Sequence, residues 1–127
     1  VSELYLNKRV IFSQPIYGSK EKIEKIDSAR IFVLPSKSEG MPQSLIEAMS
    51  RKMIVIASDN LASRDLIDNG KNGILFKTED EKDLADKINF VLDNKNKKII
   101  SKIKVEAKKS VEKFKWSKII KNIEGLL

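Results

Sequence analysis

The sequence predicts an open, mostly parallel α/β sheet of about four strands, with helices on both faces and further helices at its C-terminal end. Three observations predict it. Short, uninterrupted apolar runs rich in β-branched residues recur along the chain, as expected of strands covered on both sides. Stretches with apolar residues at helical spacing separate them. The chain has 127 residues, 41% hydrophobic and 34% charged, with only 5 Gly and 3 Pro. That composition suits one domain with a real core and excludes disordered, collagen-like and low-complexity chains.

Taken in order, Arg9-Val10-Ile11-Phe12-Ser13 reads as a first strand, closed by Gln14-Pro15 and followed by a helix-prone stretch from Ser19 to Asp27. Arg30 to Leu34 reads as a second strand, ending at Pro35. Pro42 sits where a first helical residue would, since the first turn has no intrahelical use for that N–H, and Leu45, Ile46 and Met49 follow at helical spacing. A helix over Met41–Ser50 is expected. Met53 to Ala57 reads as a third strand, Ser63 to Asp68 as a short helix, and Asn69-Gly70 and Asn72-Gly73 as turns feeding a fourth strand at Ile74-Leu75-Phe76. Thr78 and Glu81 form a capping-box pattern for a helix whose apolar face is Leu84, Ile88 and Val91 or Leu92. Ile99, Ile103, Ala107, Val111 and Phe114 line a second late helix, and Trp116, Ile119, Ile120, Ile123 and Leu127 a third.

The absence of Cys and His excludes disulfide frameworks, Cys or His nucleophiles, imidazole bases and the usual zinc sites. Any chemistry rests on carboxylates, hydroxyls, amides and cations. No apolar run reaches the roughly 18–20 residues that span a bilayer, and Val1 opens into a mixed segment unlike a signal peptide. A cytoplasmic location is therefore expected, and a chain opening on Val rather than Met suggests a piece of a longer one. The net charge of +7 is unevenly spread. Residues 1–94 carry 14 Lys/Arg and 15 Asp/Glu, whereas residues 95–127 carry 11 Lys and 3 Glu. Three readings of that Lys-rich tail stand side by side. It is the solvated face of an amphipathic helix, a contact for anionic membrane lipid, or a nucleic-acid contact, the last disfavoured because aromatics are 6% and no stacking platform alternates with the Lys.

Ligands of such sheets bind beyond the carboxyl ends of the strands, so the loops after Leu34 and Ala57 and the turn before Ile74 are expected to share one rim. The segment 35–47 runs from the end of a buried strand into a helix, whose first-turn N–H groups and macrodipole suit a phosphate. Pro42 donates nothing, but Gln43, Ser44 and Leu45 can. Gly40 has no Cβ, which lets a ligand approach the backbone closely. Glu39 precedes the helix and Glu47 tilts back toward its start, so both carboxylates can flank one pocket mouth. Such a set suits a nucleotide-diphosphate sugar, with N–H groups on the diphosphate and carboxylates on ribose and hexose hydroxyls. The plainer alternative is that Glu47 is a solvated helix residue and Glu39 an ordinary loop acid.

Ser-Glu-Gly-Met-Pro-Gln-Ser-Leu-Ile-Glu-Ala-Met (38–49), preceded by Ile-Phe-Val-Leu-Pro-Ser (31–36), strongly resembles the Glu-x7-Glu signature of family 4 glycosyltransferases, the retaining enzymes of GT-B fold. The likeness continues through Ile-Val-Ile-Ala-Ser (54–58), the segment from Asp65 to Phe76, and Phe-Lys-Trp-Ser (114–117). It implies a Rossmann-like domain, specifically the later part of the nucleotide-sugar donor domain. It also implies that Glu39 contacts the donor sugar as the catalytic carboxylate. The backbone of Gly40, Met41, Gln43, Ser44 and Leu45 then holds the diphosphate, and Glu47 binds the ribose hydroxyls. Transfer in the family retains anomeric configuration and uses no metal or other cofactor, and this chain has no convincing metal cluster. Two departures from the family pattern are visible. Lys52 and Ile54 stand where the family commonly has Gly and Pro, and Asn60 to Asp65 replaces a Gly pair followed by Glu, which leaves Asp65 without an assigned role. The acceptor domain and the first βαβ portion of the donor domain, with its Arg and Lys pair, have no counterpart in these residues. The chain is thus expected to bind donor but not to turn over alone. The alternative function is a non-catalytic Rossmann-like binding module whose basic tail docks on acidic membrane lipid or nucleic acid.

Overall fold

The computed structural model describes residues 9–14, 18–37 and 42–126, and the side chains among these except for Ser19 and residues 113–126. In chain order the elements are α1 (Ser19–Ser28), β1 (Ile31–Leu34), α2 (Gln43–Ser50), β2 (Ile54–Ser58), α3 (Leu61–Leu66), β3 (Ile74–Phe76) and α4 (Glu81–Leu92). A single 3-10 turn over Asn94–Asn96 leads into α5 (Lys97–Leu126). The strands pair in parallel in the order β1-β2-β3, with Ile31 opposite Ile54 and Ile56 opposite Ile74.

Alternation along β2 explains the two-sided core. Val55 and Ala57 pack with Leu45, Ala48 and Met49 of α2, Leu66 of α3 and Ile26 of α1. Ile54 and Ile56 face the other way, toward Ile74 and Phe76 and the Leu84, Ile88 and Val91 face of α4. All five residues of β2 are buried, as a central strand covered on both sides requires. At roughly 1.5–3 kcal/mol for each fully buried aliphatic side chain, this strand anchors the domain.

Several expectations are corrected. Among the described residues the sheet has three strands rather than four. The run Arg9–Ser13 carries no strand pairing, and Ile11 and Phe12 are 87% and 81% exposed. A strand needs a lateral partner as well as apolar side chains, and no described strand pairs with the outer edge of β1. The helix after β1 begins at Gln43 with Pro42 as its N-cap, not at Met41, and α3 spans Leu61–Leu66 rather than Ser63 to Asp68 because Asn60 caps it. The fourth helix is capped by Asp80 rather than Thr78. The Asp83 N–H donates to the Asp80 carboxylate at 2.9 Å and the Lys77 N–H to the Asp83 carboxylate at 2.7 Å, while the Thr78 hydroxyl donates to the Asp59 carbonyl at 3.2 Å. Glu79, at φ +62°, lies outside helical space, so the helix opens only at Glu81.

The two late helices are one. Nothing between Val111 and Ile120 breaks a helix, and α5 runs through. Its inward face is Ile100, Ile103, Ala107 and Val111, with Ile99 48% exposed. Ile100 and Ile103 join one half-core and Ala107 and Val111 the other, so α5 passes the amino ends of the strands and closes both. The side chains of Phe114, Trp116, Ile119, Ile120, Ile123 and Leu127 lie outside the described residues.

The departure at Lys52 has a structural meaning. Met53 N–H donates to the Ala48 carbonyl at 3.0 Å and Lys52 N–H to the Met49 carbonyl at 3.1 Å, the two bonds of a Schellman C-cap. Lys52 stands in its left-handed position at φ +59°, where glycine is at ease and an L side chain is not. Relief of about 1–2 kcal/mol of strain, less about 0.4–1 kcal/mol of added unfolded-chain entropy, means that Lys52→Gly should stabilise the protein. A rise of about 0.5–1 kcal/mol in urea unfolding is expected, and an unchanged or lowered midpoint contradicts the assignment.

Arg51, beside that cap, ties α2 to the end of α1. Its Nε lies 2.9 Å from Asp27 Oδ1, and a second guanidinium nitrogen meets Oδ2. The Arg51 hydrogen bond holds the Asp27 carboxyl below the usual carboxylate range. A carboxyl depressed in the folded state adds stability above its unfolded pKa, and that contribution is lost as pH falls through the folded value. Thermal melts of Asp27→Asn should therefore depend less on pH than wild type below about pH 4. Parallel acid profiles contradict this.

Candidate functional site

The carboxyl ends of the three strands deliver three loops to one rim. The Asn60 side chain donates from Nδ2 to the Ser36 carbonyl at 3.0 Å and accepts the Ser63 N–H at 2.9 Å. One residue thus caps α3 and pins the start of the 35–47 loop. Asp59 N–H donates to the Phe76 carbonyl at 2.8 Å, extending the β2–β3 ladder. Lys37 and Glu79 form an ion pair at 2.7 Å between the loops after β1 and β3. Arg64 pairs with Asp59, whose carboxylate raises the guanidinium pKa further.

The turn before Ile74 does not share this rim. A turn that precedes a parallel strand lies at its amino end, and Gly70 and Lys71 accordingly border a groove with Ile99 and Ile103 of α5. The third rim loop is instead Lys77 to Asp80. The displaced turn has a structural task. Asn72, buried, donates to the Leu66 carbonyl at 3.0 Å and accepts the Asp68 N–H at 2.8 Å. A Cβ on Gly73 would stand 2.9 Å from the Val55 side chain, which restricts the position to glycine.

Of the expected site residues, Glu39, Gly40 and Met41 lie outside the described residues. Gln43 is exposed and Ser44 half-buried in the first turn of α2, where neither N–H has an acceptor within the helix. Leu45 differs, since its side chain is fully buried in the core and its N–H lies 3.1 Å from the Pro42 carbonyl. Glu47, half-exposed, pairs through Oε2 with Lys22 of α1 at 2.9 Å. Its other carboxylate oxygen has no partner among the described residues. Asp65 is exposed on α3, with no ion pair among the described residues.

Sequence reasoning missed Asn60, Lys22 and the Lys37–Glu79 pair. Asn60 was findable as an Asn two residues past a strand and just before a helix, the ordinary N-cap signal. The ion pairs join residues 25 and 42 positions apart, and only the fold brings them together.

A three-stranded parallel sheet between helices, with the loops after its strands gathered on one rim, defines an open α/β class of fold, and comparison with known proteins narrows it. A family model described as Glycosyl transferases group 1 matches residues 1–110, and the chain belongs to that family. It is 36% identical over 72 residues to the N,N'-diacetylbacillosaminyl-diphospho-undecaprenol alpha-1,3-N-acetylgalactosaminyltransferase of Campylobacter jejuni, covering 57% of this chain and 19% of that enzyme. The C-terminal domain of the glycosyl transferase group 1 family protein LpcC from Francisella tularensis superposes with a TM-score of 0.75 at 28% identity, over 87% of this chain and 55% of that one. Anabaena Alr3699/HepE, solved with UDP-glucose, shares the fold with a TM-score of 0.78 at 21% identity, over 99% of this chain and 35% of its own. The fold is that of a GT-B glycosyltransferase domain, and the chain spans about a fifth of the Campylobacter enzyme's length. No helix among the described residues is long and apolar enough to cross a membrane.

Proposed function

We propose that this chain is the donor-binding part of a glycosyltransferase. It holds a nucleotide-diphosphate sugar, and the full-length enzyme transfers that sugar with retention of configuration and without a metal. The observation that carries the reading is the start of α2. In a chain of this family, the Gln43 and Ser44 N–H groups open a helix just beyond the carboxyl end of β1, with Glu47 one turn further on. Backbone donors from Gly40 to Leu45 are assigned to the diphosphate, with the Leu45 N–H contributing only if it releases Pro42. Glu47 takes the ribose hydroxyls on its second oxygen while Lys22 fixes its rotamer, and Glu39 meets the donor sugar.

The remaining parts are supplied elsewhere in the full-length protein. An acceptor domain and the cations that neutralise the departing diphosphate are assigned to residues outside these 127, so this segment alone binds donor without transferring it. The Campylobacter relative, named for a lipid-linked saccharide acceptor, supports a place in glycolipid or polysaccharide synthesis. Calorimetry with UDP-glucose, GDP-mannose and ADP-glucose tests the donor class. Binding of at least one is expected, and binding of none, nor of UDP, GDP or ADP, removes the proposal.

Metal independence has its own test. A Mg2+ bridging donor phosphates draws on one or two carboxylates, but here both carboxylates are committed to hydroxyls and the phosphates to N–H groups. The full-length enzyme should keep its activity in excess EDTA. Loss on chelation with recovery on adding Mg2+ or Mn2+ makes Glu39 or Glu47 a ligand and overturns the mechanism.

A further inference from the structure

We propose that the amino end of the sheet is a docking surface for an anionic lipid bilayer. Two neighbouring clefts, of about 400 and 150 Å3, share Ala29 at this end. The α1–β1 turn brings Arg30 to them, the α2–β2 turn brings Arg51 and Lys52, and α5 lays Lys104 and Lys108 alongside. Five cations thus meet one carboxylate, Asp27, which Arg51 already engages. Arg30, Lys52, Lys104 and Lys108 are exposed and form no ion pair among the described residues. Folding therefore gathers like charges that nothing described here compensates, in a chain whose first 94 residues are nearly neutral. An extended anionic surface supplies the compensation.

The occupant follows from the rest of the helix. Lys98 and Lys102 recur at helical spacing with exposed Val105 beside them, and Ile99 is exposed nearby, while Lys109 one turn on is paired with Glu106 at 3.8 Å. Cations interleaved with aliphatic side chains suit the boundary between headgroups and acyl chains. No residue lining the two clefts is aromatic, so there is no stacking platform for nucleic-acid bases. The surface lies at the opposite end of the strands from the α2 terminus, so a docked bilayer leaves that terminus open. Nothing in the inference depends on the donor reading.

The test uses the full-length protein and vesicles of phosphatidylcholine alone or with about a third phosphatidylglycerol. Binding to the anionic vesicles only is expected, falling steeply as NaCl rises from about 50 to 300 mM. The double variant Lys104→Gln/Lys108→Gln should bind these vesicles about 30-fold more weakly. Lys20→Gln/Lys82→Gln, which removes two exposed cations that line neither cleft, should bind as wild type does. Circular dichroism verifies folding, and donor calorimetry should be the same for both variants, so a failure here is separable from a failure of the donor reading. Equal binding to neutral vesicles, salt-insensitive binding, wild-type affinity of the cleft variant, or tighter binding to an RNA or DNA oligomer than to anionic vesicles each overturns the proposal.

Discussion

Glu39→Gln in the full-length enzyme should lower kcat by about 100- to 1,000-fold, the usual loss when a preorganised group facing developing charge is removed, with donor affinity near that of wild type. A carboxylate that meets the sugar gains most as the glycosidic bond stretches and positive charge grows on the ring, and glutamine keeps the shape without the charge. An interaction made chiefly in the transition state lowers kcat and kcat/KM together and leaves ground-state binding alone. Steady-state kinetics beside calorimetry separate the cases. Donor affinity falling in proportion to turnover would show that Glu39 acts in binding and would contradict its catalytic assignment.

Glu47→Ala should do the reverse. A hydrogen bond to a charged group is worth about 1.5–3 kcal/mol, so donor affinity should fall about 10- to 150-fold. The melting temperature should hardly move. Glu47 and Lys22 are both over two-fifths exposed, and such surface pairs add little to stability. Glu47→Gln, which can still accept from a hydroxyl but lacks the charge, should fall between alanine and wild type. Unchanged affinity in Glu47→Ala removes the residue from the site, and a large fall in melting temperature with no change in affinity makes it a structural tie between α1 and α2.

The buried strands were legible because short continuous apolar runs rich in β-branched residues have few other uses in an α/β domain. β1, β2 and β3 lie within a residue at either end of Arg30–Leu34, Met53–Ala57 and Ile74–Phe76, the runs that suggested them. The same signal misled at Val10–Phe12, where apolarity is present but no pairing neighbour lies among the described residues. Helix limits went astray where tertiary partners compete for a cap. Thr78 has the right chemistry for an N-cap, yet its hydroxyl is claimed by Asp59, a contact across 19 positions that no local pattern reports. On the rim, the 35–47 loop was legible from strand, Gly and helix in succession, whereas its anchor through Asn60 and its ion pairs depend on which loops the sheet sets side by side. The turn at Asn69–Gly73 carried loud signals, and these proved to concern packing under Val55 rather than the rim.

The path of α5 bears on how the domain comes into being. Ile100 and Ile103 seal one side of β2 and Ala107 and Val111 the other, so neither half-core is closed until the last quarter of these residues has been made. Synthesis proceeds from the amino terminus at about 5–20 residues per second, and for the seconds that α5 takes to emerge, the undersides of Ile54 and Val55 have no cover. A nascent chain stalled before Lys97 should accordingly present the amino-end margin of both half-cores to chaperones, and one released after Val111 should not.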